Sequence, residues 1–77
     1  MKRAFSFQGM ADRWPSPIVA REQIHQFTGG IYNPKYMANL DSQGLGPDER
    51  IRIGRRKVAY PVDSVVRWLE GRAERIK

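Results

Sequence analysis

Between Arg50 and Lys57, five of eight residues are basic and none is acidic. Guanidinium groups at this density suit oxyanions, because the planar fork matches two phosphate oxygens and stays charged at any ordinary pH. The same run, RIRIGRRKVAYPV, also alternates. Ile51, Ile53, Val58 and Tyr60 recur at strand spacing, expected to face a core, and Gly54 supplies a turn. Arg55, Arg56 and Lys57 then fall at or beside a hairpin tip, with Arg52 on its solvent face. A two-stranded ribbon is marginal alone. Its apolar side is therefore expected to dock on helices while the charged tip projects.

The other groups with chemical potential do not assemble. His25 is the single histidine and lies among polar residues of a helix, with only Glu22 near it. One imidazole and one carboxylate on an exposed face do not make a catalytic site. Asp48 and Glu49 read as a solvated loop pair, and Glu70 and Glu74, four apart, as a helix surface. The chain has no cysteine, which removes disulfides and thiolate metal sites and fits a reducing cytoplasm. These residues point away from an enzyme, and no cofactor or metal is expected.

The elements that must position the basic run follow from periodicity. Residues 1–14 show no convincing period and are expected as a flexible tail, with Phe5, Phe7 and Trp14 able to pack back. Pro15 and Pro17 favour extended backbone, and Ile18 and Val19 suit a short strand or a helix entrance. A first helix is expected over AREQIHQFTGG, with Ala20, Ile24 and Phe27 on one apolar face and Gly29 and Gly30 as its stop. A second is expected over NPKYMANLDSQG, with Asn33 as N-cap, Pro34 in the first turn, Met37 and Leu40 inward and Gly44 as its end. After the hairpin, PVDSVVRWLEGRAERIK gives a last helix. Its apolar stripe is Val62, Val65 and Leu69, Asp63 lies in the first turn, and Trp68 is expected to fill the core. The fold class read from this order is mainly α with a small β-hairpin. The domain spans residues 15–71, and 72–77 form a basic tail.

The full chain has 77 residues and a net charge of +6, enough for one domain with a thin core. Residues 48–77 carry nine basic and five acidic side chains, against five and three in residues 1–47. Such an excess favours a polyanionic partner. No apolar run approaches the roughly 18 residues of a membrane span, and the N-terminus lacks the apolar segment of a signal peptide. A membrane partner is not expected.

The exposed side of the second helix suits base recognition. Asn39 and Gln43 can each pair bidentately with adenine, Lys35 can reach phosphate or guanine, and Ser42 can bond to several edges. Ala38 is small enough for close approach. Asp41 lies at the core border, where an internal ion pair with an arginine is expected instead of a base contact.

Residues 18–70 resemble the winged helix-turn-helix DNA-binding domain of phage excisionases and AlpA-type prophage regulators, distant kin of the MerR DNA-binding domain. The resemblance rests on IVAREQIHQFTGG, on Gly44-Leu45-Gly46-Pro47 after the second helix, on Ile53 to Arg56, and on Asp63, Trp68 and Leu69. The connection TGGIYNP is longer than is usual there, and Tyr36 stands where a small hydroxyl residue is common. The resemblance implies double-stranded DNA as partner. Asn33, Lys35, Tyr36, Asn39, Ser42 and Gln43 would lie on the recognition helix, and Arg52, Arg55, Arg56 and Lys57 in the wing. It further implies an accessory factor that bends attachment-site DNA and directs an integrase toward excision, with integrase contact and cooperative self-association along DNA as further partnerships. An AlpA-type transcription regulator would use the same interface. A protein-interaction adaptor for an integrase or polymerase is the reading from a different class.

Overall fold

A computed structural model describes residues 6–74. The segment expected as a tail contains a helix, α1 (Phe7–Arg13), started by Ser6, whose hydroxyl accepts from the Gly9 N–H. Phe7, Met10, Ala11 and Trp14 recur at the spacing of one helical face and pack partly buried on the core. The Trp14 ring meets Phe27 edge-on at 5.2 Å, and its indole N–H donates to the Ile18 carbonyl at 2.9 Å. Phe5 lies outside the described residues.

Ile18–Ala20 form a strand, β1. The expected first helix is therefore shorter than its sequence suggests. A 3-10 turn covers Arg21–Gln23, and α2 spans only Ile24–Phe27. Ala20 belongs to β1 because its backbone pairs with a later strand. Helix α3 spans Pro34–Ser42 and begins where expected, with the Asn33 side chain accepting from the Tyr36 N–H at 2.8 Å. Gly44, at φ +75°, takes the left-handed conformation that ends it.

The hairpin joins β2 (Ile51–Ile53) to β3 (Lys57–Pro61). It is not a free ribbon: β3 lies between β1 and β2 in a three-stranded antiparallel sheet. The register pairs Ile51 with Ala59, Arg52 with Val58 and Ile53 with Lys57. Directly opposed residues share a face. Ile51 and Ile53 therefore stand on the side opposite Tyr60, which corrects the expectation that all four apolar residues face the core. They are 40% and 50% exposed, whereas Tyr60 is buried. Arg52 is exposed, but it leaves the sheet on the Val58 and Tyr60 side.

Helix α4 (Val62–Arg72) follows β3 at once. Val62, Val65, Val66 and Leu69 close a core built from Val19, Ile24, Phe27, Met37, Leu40 and Tyr60. Trp68 departs from expectation. It sits at the edge of the α4 stripe, half-buried, with its indole N–H donating to the Leu45 carbonyl at 2.8 Å. Tyr60, with no exposed surface, takes the central aromatic position. Among the described residues, no helix is long and apolar enough to cross a membrane.

One polar cluster ties these elements together. Asp41 of α3 is buried, and its Oδ2 accepts from Arg21 Nη2 and from the Tyr60 hydroxyl, each at 2.6 Å. Arg21 Nε also donates to the Tyr60 oxygen at 3.0 Å, and Arg50 donates to the Asp41 carbonyl at 3.0 Å. The expected arginine partner of Asp41 is thus Arg21. Burial pulls the Arg21 guanidinium down, yet its hydrogen bonds to Tyr60 and Asp41 outweigh that and leave it above its ordinary value. Gly46 packs against Asp41 Oδ1 so closely that a Cβ there would force the Asp41 carboxylate to shift.

Burial, together with the hydrogen bond to Asp41, pushes the Tyr60 phenol up to about 12. A phenol that holds its proton more tightly when folded stabilises the fold fully below its unfolded value near 10, and loses that contribution as pH rises toward 12. Thermal melts of the wild type are expected to fall across this window. A Tyr60→Phe variant should melt lower at neutral pH and decline less from pH 10 to 12. Parallel declines in the two proteins would show that Tyr60 does not set the alkaline limit.

Candidate nucleic-acid interface

The inner face of α3 is fixed by Met37, Leu40 and Asp41, all buried. Its other side is therefore presented to solvent in a set orientation. Lys35, Asn39, Ser42 and Gln43 are spaced to share one stripe along the helix, and all four are exposed. The side chains of Lys35, Asn39 and Gln43 have no hydrogen-bond or ion-pair partner among the described residues. The Ser42 hydroxyl donates to the Asn39 carbonyl at 2.8 Å, which leaves its oxygen free to accept only. Asn33 spends its side-chain oxygen on the helix cap, so only its amide N–H groups can reach outward. Ala38 is half-buried between the stripe and the core.

Tyr36 is 42% exposed and is held by a neighbour that sequence reading did not single out. Its ring stacks on Tyr32 at 5.5 Å with an interplanar angle of 5°. Tyr32 in turn packs on Trp68 at 4.9 Å, and Arg72 lies over both rings while donating from Nε to the Tyr32 hydroxyl at 3.1 Å. This column links the first turn of α3 to the last turn of α4. No local pattern announces a contact 40 residues apart in sequence. The aromatic pair Tyr32 and Tyr36, astride the Asn33 cap, was its only visible trace.

The hairpin presents its charge at a three-residue turn, Gly54-Arg55-Arg56, between the paired Ile53 and Lys57. Gly54 adopts φ +69°, which side chains rarely tolerate. Arg52, Arg55 and Arg56 are exposed and have no partner among the described residues. Lys57 differs, because its ammonium lies 2.7 Å from Glu22 in a pair whose members are both largely exposed. Such surface pairs are worth about 0–1 kcal/mol, so Lys57 is lent to Glu22, not locked by it.

The helix and the hairpin meet. A groove of about 380 Å³ is lined by Pro34 from the start of α3, by Ile53, Arg56 and Lys57 from the hairpin, and by Arg21 and Glu22 from the 3-10 turn. The basic turn thus stands beside the N-terminal end of α3, where the helix dipole is also positive. Of the ten residues named from sequence, the structure leaves all of them exposed; only Arg56 and Lys57 of them line this groove, and α3 contributes Pro34 to it. His25 is exposed as well. Among the described residues, no group of three or more histidine, aspartate or glutamate side chains could hold a metal.

Comparison with protein-family models, with curated proteins and with solved structures returned no match for this chain.

Proposed function

We propose that this chain binds double-stranded DNA with sequence preference, as a winged helix-turn-helix in which α3 enters the major groove and the β2–β3 hairpin is the wing. The observation that carries this reading is the shared groove, which sets Arg56 and Lys57 beside Pro34 at the head of α3. A recognition helix reads base edges mainly with its N-terminal part, and arginines beside it can grip the flanking phosphates or enter the minor groove. The free side chains of Lys35, Asn39 and Gln43 then face the bases. Within this class the reading is an excisionase, a protein that breaks no bond and acts by shaping attachment-site DNA for an integrase.

Fluorescence anisotropy with labelled duplexes tests it. The panel holds sequences flanking an integrase attachment site, integrase promoter fragments and random DNA. About five phosphate contacts correspond to a log–log salt slope near −4.5. Attachment-site duplexes are expected to bind tighter than random DNA, with the preference kept as salt rises. Preference for the promoter fragment alone would replace the excisionase with a transcription regulator. Weak, equal binding that salt abolishes would overturn sequence-dependent recognition.

A further inference from the structure

Tyr36 borders the polar stripe of α3. It precedes Asn39 by one helical turn and Gln43 by two, so the three lie on neighbouring lines of the helix surface. It stands in the first turn, the part of a recognition helix that reaches base edges. Among the described residues of α3, it is the only large apolar side chain left exposed. A tyrosine on a helix surface ordinarily samples several rotamers, and fixing it in a complex costs entropy. This ring is already held. It stacks on Tyr32, which accepts from Arg72 at 3.1 Å and packs on Trp68 at 4.9 Å. Trp68 in turn donates to the Leu45 carbonyl at 2.8 Å. The column therefore grips the chain on both sides of α3, at Tyr32 before it and at Leu45 after it.

An ordered apolar ring in this place has one match among base edges. Of the four bases, only thymine presents a methyl group in the major groove. We infer that Tyr36 is the apolar base contact of α3, its ring packing on the C5-methyl group of a thymine, with Tyr32, Trp68 and Arg72 as the residues that position it. The inference rests on the DNA-binding reading above. Its competitor is the Tyr36 hydroxyl, which has no partner among the described residues and could reach a phosphate instead.

Anisotropy titrations of the whole chain separate these contacts. In the tightest-binding duplex of the panel, each thymine is replaced in turn by deoxyuridine, which lacks only the methyl. The wild type is expected to lose about fourfold in affinity at one such position, the worth of one buried methyl. Tyr36→Phe should keep that difference, and Tyr36→Ala should bind the thymine and uracil duplexes equally. Arg72→Ala should shrink the ratio, because Tyr32 loses the group that holds it. If Arg72→Ala instead weakened both duplexes alike and only flattened the salt slope, Arg72 would be a phosphate contact and the positioning role would fall. A wild type that prefers one duplex but ignores every uracil would overturn the inference and leave the DNA reading standing. So would a Tyr36→Ala protein as sensitive to uracil as the wild type. Uniform weakening by Tyr36→Phe without thymine dependence would overturn it too, and would assign the hydroxyl to phosphate. A wild type without preference among any duplexes would overturn both readings.

Discussion

Asp41→Ala is expected to leave the chain unfolded, or nearly so, at room temperature. The Asp41 side chain is 3% exposed, and its Oδ2 is the common acceptor for Arg21 and Tyr60. Removing it strands a guanidinium and a buried hydroxyl together. Breaking a buried ion pair from one side costs about 3–5 kcal/mol. A chain of this size has roughly 4–12 kcal/mol in total and sits toward the low end, because its core is thin. Asp41→Asn keeps the shape and one acceptor, so it should lose less and still melt cooperatively. Because Asp41 and Tyr60 act through one hydrogen bond, Asp41→Asn combined with Tyr60→Phe should cost less than the two single losses added. Urea melts followed by circular dichroism measure each term. A fully folded Asp41→Ala protein that loses under about 1 kcal/mol would contradict a central role for the cluster.

The hairpin shows what the sequence could reveal about this fold and what it could not. Alternation correctly located both strands and the Gly54 turn, and the chemistry of Asn33 and Pro34 fixed the start of α3. Alternation also says which residues of one strand share a face. It does not say which face is buried, because that depends on the turn. Gly54, Arg55 and Arg56 make an odd-numbered turn, so Ile53 opposes Lys57 and the isoleucines fall out of phase with Val58 and Tyr60. A turn of two or four residues would have set them in phase. Strand β1 was equally open, since three residues have no period of their own and this segment forms a strand by pairing with β3. Helix α1 was hidden for another reason. Its face of Phe7, Met10, Ala11 and Trp14 was present in the sequence, but a seven-residue helix shows barely two turns of period, and Pro15 just after it favours extended backbone. Asp41 lay in between: its position at the core border predicted an arginine, but which arginine depended on how the 3-10 turn meets α3. The candidate site was the more legible part, because exposed polar residues need only a correctly oriented helix and a turn, and both were visible locally.

Arg55→Ala combined with Arg56→Ala is expected to weaken binding to every duplex by roughly 30-fold, taking about 1 kcal/mol, the net worth of a typical hydrogen bond, for each exposed arginine's contact with phosphate that the variant removes. The weakening should be nearly uniform across sequences, since phosphate contacts carry no base information. The log–log salt slope should become shallower by about 1.8, which is two phosphates' worth of released counterion. Stability should be unaffected, because both arginines lie at an exposed turn without a partner among the described residues. Removing two like charges from neighbouring positions relieves a little repulsion. Lys57→Ala is the built-in comparison: it also breaks the pair with Glu22, so its effect on affinity should be smaller and accompanied by a slight change in melting temperature. Asn39→Ala should behave in the opposite way, narrowing the gap between preferred and random duplexes while leaving the salt slope unchanged. Anisotropy titrations at several salt concentrations, with melts of the same preparations, separate these outcomes. If the double arginine variant bound as tightly as the wild type with an unchanged slope, the hairpin would have no part in the interface. DNA contact would then have to come from α3 and the cations around it alone.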